Sequence, residues 1–504
     1  MTDPADLVLR GGEVHTLANP DRTVEAVAVR DGRVAALGDE RRVDRLTGVE
    51  TTVVDLDGRV ALPGFVDAHT HMRIVGWRET RADLADADGP DDVAAALRAE
   101  EAGPEGWLLG FGMDDGAWDE RLTRGDLDAV STRRPVAVFR EDLHAGVVNS
   151  VALDRHRDEM PDCDVETDDG EPTGLVVEDA RKPVFRAIDP GREGTRDLLR
   201  AARDRAHRVG VTAVHDFVRF SRAPAAYRDL ARDGDLSLRV RLCYWADHLD
   251  AAVETGLHTG HGDAVTVGAI KAYTDGSVAS HTARLREPYA DADTRGEWVR
   301  EPEAVRDVAS RADAEGFQVA LHAVGDEAVE VALDALTATG DPGGSRHRVE
   351  HATLATDDQI ARAVDAGLVV CLQPNFHRWG GPDGEYAARL GDRWRRANRV
   401  AAWHDAGARL AFGSDCMPLD PLVGLEYAVR PPAGDGIPVT DALRAYTRGA
   451  AFAGSDEDRM GTLAVGNLGD LVVLDGSPWA VDDLGDLAVD LTVVGGEVVY
   501  GDTA

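Results

Sequence analysis

The chain has 504 residues, with 55 Lys plus Arg against 92 Asp plus Glu, giving a net charge of −37 with histidine neutral. A hydrophobic fraction of 43% excludes wholesale disorder. The charge excludes a nucleic-acid binder with a general basic surface and a protein that docks on anionic lipid, leaving a soluble globular protein without membrane attachment as the expectation.

Self-repulsion at this charge loosens a compact state in dilute buffer. At about 1 M salt the Debye length is only about 3 Å and the same charges cost little. Among the cations only Lys182 and Lys271 are lysines. Acidic excess with almost no lysine resembles the proteins of haloarchaea and implies a halophilic protein from a salt-filled cytoplasm. The N-terminus lacks the basic and apolar regions of a signal peptide, and no window approaches 18 consecutive apolar residues. Cys163, Cys243, Cys371 and Cys416 are scattered and form no CxxC pair. They read as reduced thiols, and a cytoplasmic location is expected.

In chain order, residues 1–61 contain short β-branched runs broken by GG and DG, which are hairpin signals. Residues 455–504 repeat the style, so the two ends are expected to form one composite β-sandwich. The middle, 62–454, alternates strand and helix. Apolar runs at 62–68, 210–217, 236–245, 264–273, 317–324, 347–353, 368–376 and 409–416 make eight strands, most of them preceded by amphipathic stretches. Buried strands separated by helices imply a parallel sheet, and eight imply an α/β fold of the (β/α)₈ TIM-barrel type. Between the first and second strands lie about 140 residues, far more than a loop plus a helix. Residues 76–190 are therefore expected to be an insertion or lid subdomain on the face where barrel active sites sit.

His69 and His71 end the first strand in LPGFVDAHTHM. Residues i and i+2 share a strand face, so both imidazoles can point at one metal. Lys271 ends VTVGAIKAY, His322 ends FQVALHAVGD, His351 ends HRVEHAT and Asp415 ends RLAFGSDC. Each is a polar residue at the end of an apolar run, and in a barrel these ends converge on one pocket. Lys271 stands out because nearly every other lysine has become arginine. A neutral amine there can add CO₂ to form a carbamate, whose two oxygens can bridge metals. A buried lysine paired with Asp275 is the alternative.

The segments PGFVDAHTH (63–71), LDAVSTRRPVAVFREDLHAGVVNSVAL (127–153), GVTAVHD (210–216), IKAYTDGSVASHTA (270–283), VALHAVGDEAV (319–329), HRVEHATL (347–354), QPNF (373–376), FGSDCMPLDPL (412–422) and GTLAVGNLGDLVVLD (461–475) resemble the amidohydrolase superfamily. Within it they are most similar to the YtcJ-like branch of amidohydrolase family 3. The resemblance implies His69 and His71 on a first metal, Lys271 as a carbamate bridge, and His322 and His351 on a second metal. It implies Asp415 as metal ligand and catalytic proton shuttle, with Lys271 also part of the catalytic set. One or two divalent ions are expected, with zinc suiting imidazole and carboxylate donors. His281 stands where the branch usually has arginine, and Cys416-Met417-Pro418 replaces its usual sequence after GSD. Substrate contacts are expected from His144, Asn149, Trp77, Phe376 and His281. Asp216, Asp275 and Glu350 are expected to orient ligands.

The expected activity is metal-dependent hydrolysis of a non-peptide C–N bond in a small molecule, of amide, N-formyl or cyclic imide type, by a metal-activated hydroxide. An esterase or lactonase on the same site, and a non-catalytic metal-binding regulatory protein, are the alternatives. The family resemblance also makes a homodimer an expectation.

Overall fold

The computed structural model describes residues 3–100, 103–116, 118, 120–141, 143–219 and 221–503. Two compact units emerge, one of Met1–His71 with Arg203–Ala504, the other of Met72–Ala202.

In the first unit the eight expected strands form one parallel sheet in sequential order. They are β1 (Phe65–Thr70), β2 (Val211–Val218), β3 (Arg239–Trp245), β4 (Val265–Tyr273), β5 (Val319–Ala323), β6 (Arg348–His351), β7 (Val369–Leu372) and β8 (Arg409–Phe412). Most of their residues are buried, because helices cover one face and side chains fill the other. The helix Pro302–Ala314 shows why the sequence folds this way. Pro302 opens it, Glu303 and Arg311 sit at its favourable ends, and Val305, Ala309 and Ala312 form its buried stripe. In the helix Asp357–Asp365, Thr356 and Gln359 form a reciprocal capping box.

β1 and β8 close the circle through side chain and backbone. The Asp67 carboxylate accepts from Ser414 N at 3.1 Å, and Asp415 N donates to His69 O at 2.7 Å. Gly413 must be glycine here, since a Cβ would lie 2.4 Å from His69 N.

Both chain ends build a second, connected sheet. Its order runs 497–500, 489–494, 471–474, 60–63, 7–15, 23–30, 33–38, with 52–55 pairing in parallel to the first half of 7–15. Asp31-Gly32 and Gly495-Gly496 are hairpin turns with positive φ at both residues. Gly11-Gly12 is a correction: it makes no hairpin but a bulge within the single strand Leu7–His15, with Gly11 at φ 78°.

The second unit is wider than the expected 76–190. It holds a six-stranded sheet in the order 165–168, 171–177, 145–148, 136–140, 108–113, 82–83. Its own core includes Trp77, Trp107, Phe111, Phe139 and Leu198. Among the described residues no helix is long and apolar enough to cross a membrane.

Candidate metal centre

The carboxyl ends of the barrel strands bring His69, His71, Lys271, His322, His351 and Asp415 to one end of the sheet. His69 ends β1 with its Nδ1 2.6 Å from Glu350, while its Nε2 lies 3.3 Å from Lys271 Nζ. His71 Nδ1 donates to Phe217 O at 2.8 Å, and its Nε2 faces Asp415 Oδ1 at 3.1 Å. His351 Nδ1 donates to Gln373 Oε1 at 2.7 Å, and His322 Nε2 donates to Gly276 O at 3.0 Å. The His69 and His351 rings lie 4.9 Å apart and those of His322 and His351 4.5 Å apart.

One pattern runs through all four imidazoles. Each has one nitrogen occupied by an acceptor that sits behind it, which fixes the tautomer and directs the other nitrogen's lone pair inward. Ligand atoms of His69, His71 and Asp415 all lie within 4.8 Å of one another. Such a donor set suits a divalent metal ion.

The electrostatics agree. Burial, then Lys271 and His71, hold His69 well below the usual histidine value, and burial with His322 does the same for His351. Both are neutral donors. Burial also lowers His71, but hydrogen bonding and attraction from Asp415 overcome it and raise the group. The gap between His71 Nε2 and the Asp415 carboxylate thus favours a positive charge. Burial brings Lys271 down to about 8, against the pull of Glu350 and Asp415. Lys271 forms no ion pair with Asp275, whose carboxylate is taken by the backbone N–H groups of Arg284, Val324 and Gly325.

His351 and Ala352 adopt φ of 70° and 46°, Asp415 and Cys416 of 52° and 59°. These are left-handed conformations in non-glycine residues, a strain that clusters at functional sites. Asp415 is not on β8 as the sequence suggests but in this turn, after Phe412.

An amidohydrolase family profile matches residues 52–500. The chain belongs to the amidohydrolase family. It is accordingly a hydrolase of C–N bonds other than peptide bonds. It is 31% identical over 527 residues to YtcJ of Bacillus subtilis (strain 168), covering 98% of this chain and 99% of that one. It is 26% identical over 549 residues to an N-substituted formamide deformylase of Arthrobacter pascens, covering 99% of both. Among solved structures, an uncharacterized metal-dependent hydrolase from Pyrococcus horikoshii OT3 superposes with a TM-score of 0.80 at 28% identity, covering 95% of this chain and 99% of that one.

In this amidohydrolase two of the expected substrate contacts, Trp77 and Asn149, are engaged elsewhere. Trp77 is not a pocket wall but is 1% exposed within the second unit's core. Asn149 is a structural cap. Its Oδ1 accepts from Val136 N and Ala152 N, and its Nδ2 donates to Ser131 O and Arg134 O. His144 pairs with Glu178 at 2.8 Å and His281 with Asp291 at 2.9 Å. Phe376 does lie by the cluster, its ring parallel to that of His351 at 6.1 Å.

Of the expected orienting carboxylates, Glu350 contacts His69, while Asp216 accepts from Tyr227 at 2.9 Å. Arg348, Gln373 and Asp67 were missed. The first two also hold a neighbour of the cluster in place: Arg348 opens the polar strand RVEH and Gln373 follows directly on the apolar strand Val369–Leu372.

Proposed function

We propose that this amidohydrolase cleaves a small-molecule amide, N-formyl or cyclic imide group at a zinc centre. His69, His71 and Asp415 would hold one ion, and Lys271 as its carbamate, with His322 and His351, a second. A bound divalent ion supplies Lewis acidity and a water whose pKa falls toward about 7.

The chain's own residues do the rest. Glu350, Phe217 O and Gln373 keep the imidazoles oriented, so the donors need not reorganise. The Asp415 carboxylate is the site's partly exposed acid group, at 14%, against 0% for Glu350. It takes the proton of the attacking water and gives it to the departing nitrogen as the tetrahedral centre collapses. The buried Lys271 amine, brought down to about 8, is neutral in part near neutral pH. Its nitrogen can bond to the carbon of CO₂ and release a proton to leave the carbamate anion.

The observation that carries this reading is the convergence of His69, His71 and Asp415 with Lys271 Nζ beside His69 Nε2. The test combines metal analysis with turnover of paired small amides and esters. Metal bound with amide turnover is the expected result. Metal without turnover of any member would overturn the proposed substrate class, and faster ester turnover would overturn the amide assignment. Lys271→Ala is expected to lose metal and activity, with activity returning in part on adding a short carboxylic acid.

A further inference from the structure

β7 carries none of the metal-ligand candidates, yet two residues just past its end reach the cluster. Gln373 accepts from His351 Nδ1. Two positions on, Asn375 is 1% exposed and acts on a different ligand. Its Nδ2 donates to Ser414 O at 2.9 Å and to Met417 O at 2.7 Å. Two carbonyl acceptors call for an NH₂ group, so it is the nitrogen of the amide that faces them. Pro374, between the two polar residues, opens the short helix Pro374–Trp379 and stiffens the backbone that presents Asn375.

Ser414 and Met417 are the two ends of the turn that carries Asp415. Met417 N closes it on Ser414 O at 3.2 Å, and its central residues, Asp415 and Cys416, have φ of 52° and 59°. Turns with positive φ at both centres favour Gly, Asn or Asp there. Asp415 suits its place and Cys416 does not, so the turn has to be held from outside. From β1, Asp67 accepts from Ser414 N at 3.1 Å, and His69 O accepts from Asp415 N at 2.7 Å. Those bonds reach the first two residues of the turn. Asn375 reaches the last, and bridges both ends with one side chain. Within this frame Asp415 Oδ1 lies 3.1 Å from His71 Nε2 and 3.8 Å from His69 Nε2.

We infer that Asn375 is a positioning residue of the hydrolytic reaction. By spanning Ser414 O and Met417 O it holds the turn against the preference of Cys416, and through the turn it aims the Asp415 carboxylate at His69 and His71. A leucine would fill the same space and donate nothing, and an aspartate would set a carboxylate against two carbonyl oxygens. The inference rests on Asp415 as metal ligand and proton carrier, the reading proposed above.

Asn375→Leu keeps the branching of the side chain and removes its donors. In crystals of the whole chain with this substitution the turn is expected to open and Asp415 to leave its place beside His71 Nε2. Competition with a chelator should show Zn²⁺ held about 10- to 100-fold more weakly, and turnover of a small amide should fall in kcat with KM little changed. Cys416→Gly removes the residue the turn strains, so the double variant Asn375→Leu with Cys416→Gly should regain most of both losses. A side chain that only packs would leave the double variant no better than the single, and that result overturns the inference. An unchanged turn in the Asn375→Leu crystals overturns it too. Should Asn375→Leu not fold, Asn375→Ala, which adds no bulk, takes the same measurements. Asp415→Ala separates the two layers of the reasoning. Normal metal binding and turnover in that variant would overturn the role of Asp415 itself, whereas their loss there beside normal values in Asn375→Leu would overturn the positioning role alone.

Discussion

Removing one partner of the Arg348–Glu350 pair tests how His69 is held. Both side chains are 0% exposed, with Arg348 Nε 2.7 Å from Glu350 Oε1 and Nη2 3.1 Å from Oε2. Arg348 also donates to Ala68 O at 2.8 Å. Burial alone would raise the Glu350 carboxyl, but Arg348 and then Lys271 hold it below its usual value. Arg348→Met leaves that carboxylate charged and largely uncompensated, and losing one member of a buried pair costs about 3–5 kcal/mol. A typical domain has about 5–15 kcal/mol in hand, so the variant is expected to fold but to unfold at clearly lower urea. The double variant Arg348→Met with Glu350→Gln removes both charges and should recover most of the loss. Because the Glu350 pKa is depressed on folding, its contribution is fully present above the unfolded value of about 4.5 and is lost as pH falls through the folded value. The wild-type advantage over Glu350→Gln should therefore be flat from pH 8 to about 4.5 and shrink below. Urea titrations of the metal-free protein at fixed high salt measure all of this. A single variant within about 1 kcal/mol of wild type, or a double variant as unstable as the sum of the singles, would refute the reasoning.

Glu350→Gln should also weaken metal binding about 10- to 100-fold by loosening the His69 tautomer, read by competition with a chelator. His69 and His351 are held neutral well below 6.5 while Asp415 raises His71, so on acidification metal should leave first from the ion held by His71; a pH series of metal content in which the ion held by His351 leaves first would contradict these environments. Raising pH through about 8 frees the Lys271 amine, so labelling by ¹³C-bicarbonate should grow from pH 6.5 to 9 and be missing from Lys271→Met. Asn149→Ala removes a cap and strands buried backbone groups, at a cost of about 2–4 kcal/mol; proteolysis should then open the 72–202 unit first.

The eight barrel strands were legible because each lies in a short, largely apolar run, and polar residues at or just after the ends of five of them, His69, Lys271, His322, His351 and Asp415, come together at one end of the sheet. Lys271 was legible for a compositional reason, as one of two lysines in an arginine-rich chain. What sits behind the ligands was harder to see. Glu350 reaches His69 across 281 positions of sequence, and Gln373 reaches His351 from the next strand. Those pairings depend on strand register, which residue patterns leave open. The Gly-Gly at 11–12 shows the same limit locally, since a bulge and a hairpin both call on glycine. Trp77 and Asn149 were misread because a tryptophan and an asparagine in an insertion look alike whether they face a ligand or hold up their own fold.

The left-handed backbone at His351 and Asp415 has an evolutionary price. Each such residue stores about 1–3 kcal/mol of torsional strain. Replacing it with alanine keeps that strain, since alanine still carries a Cβ, whereas glycine relaxes it. Asp415→Gly should therefore be more thermostable than Asp415→Ala while equally inactive. Selection for stability alone would drift toward such dead, relaxed sequences, so persistence of bulky residues at these two torsions is a mark of selection for turnover.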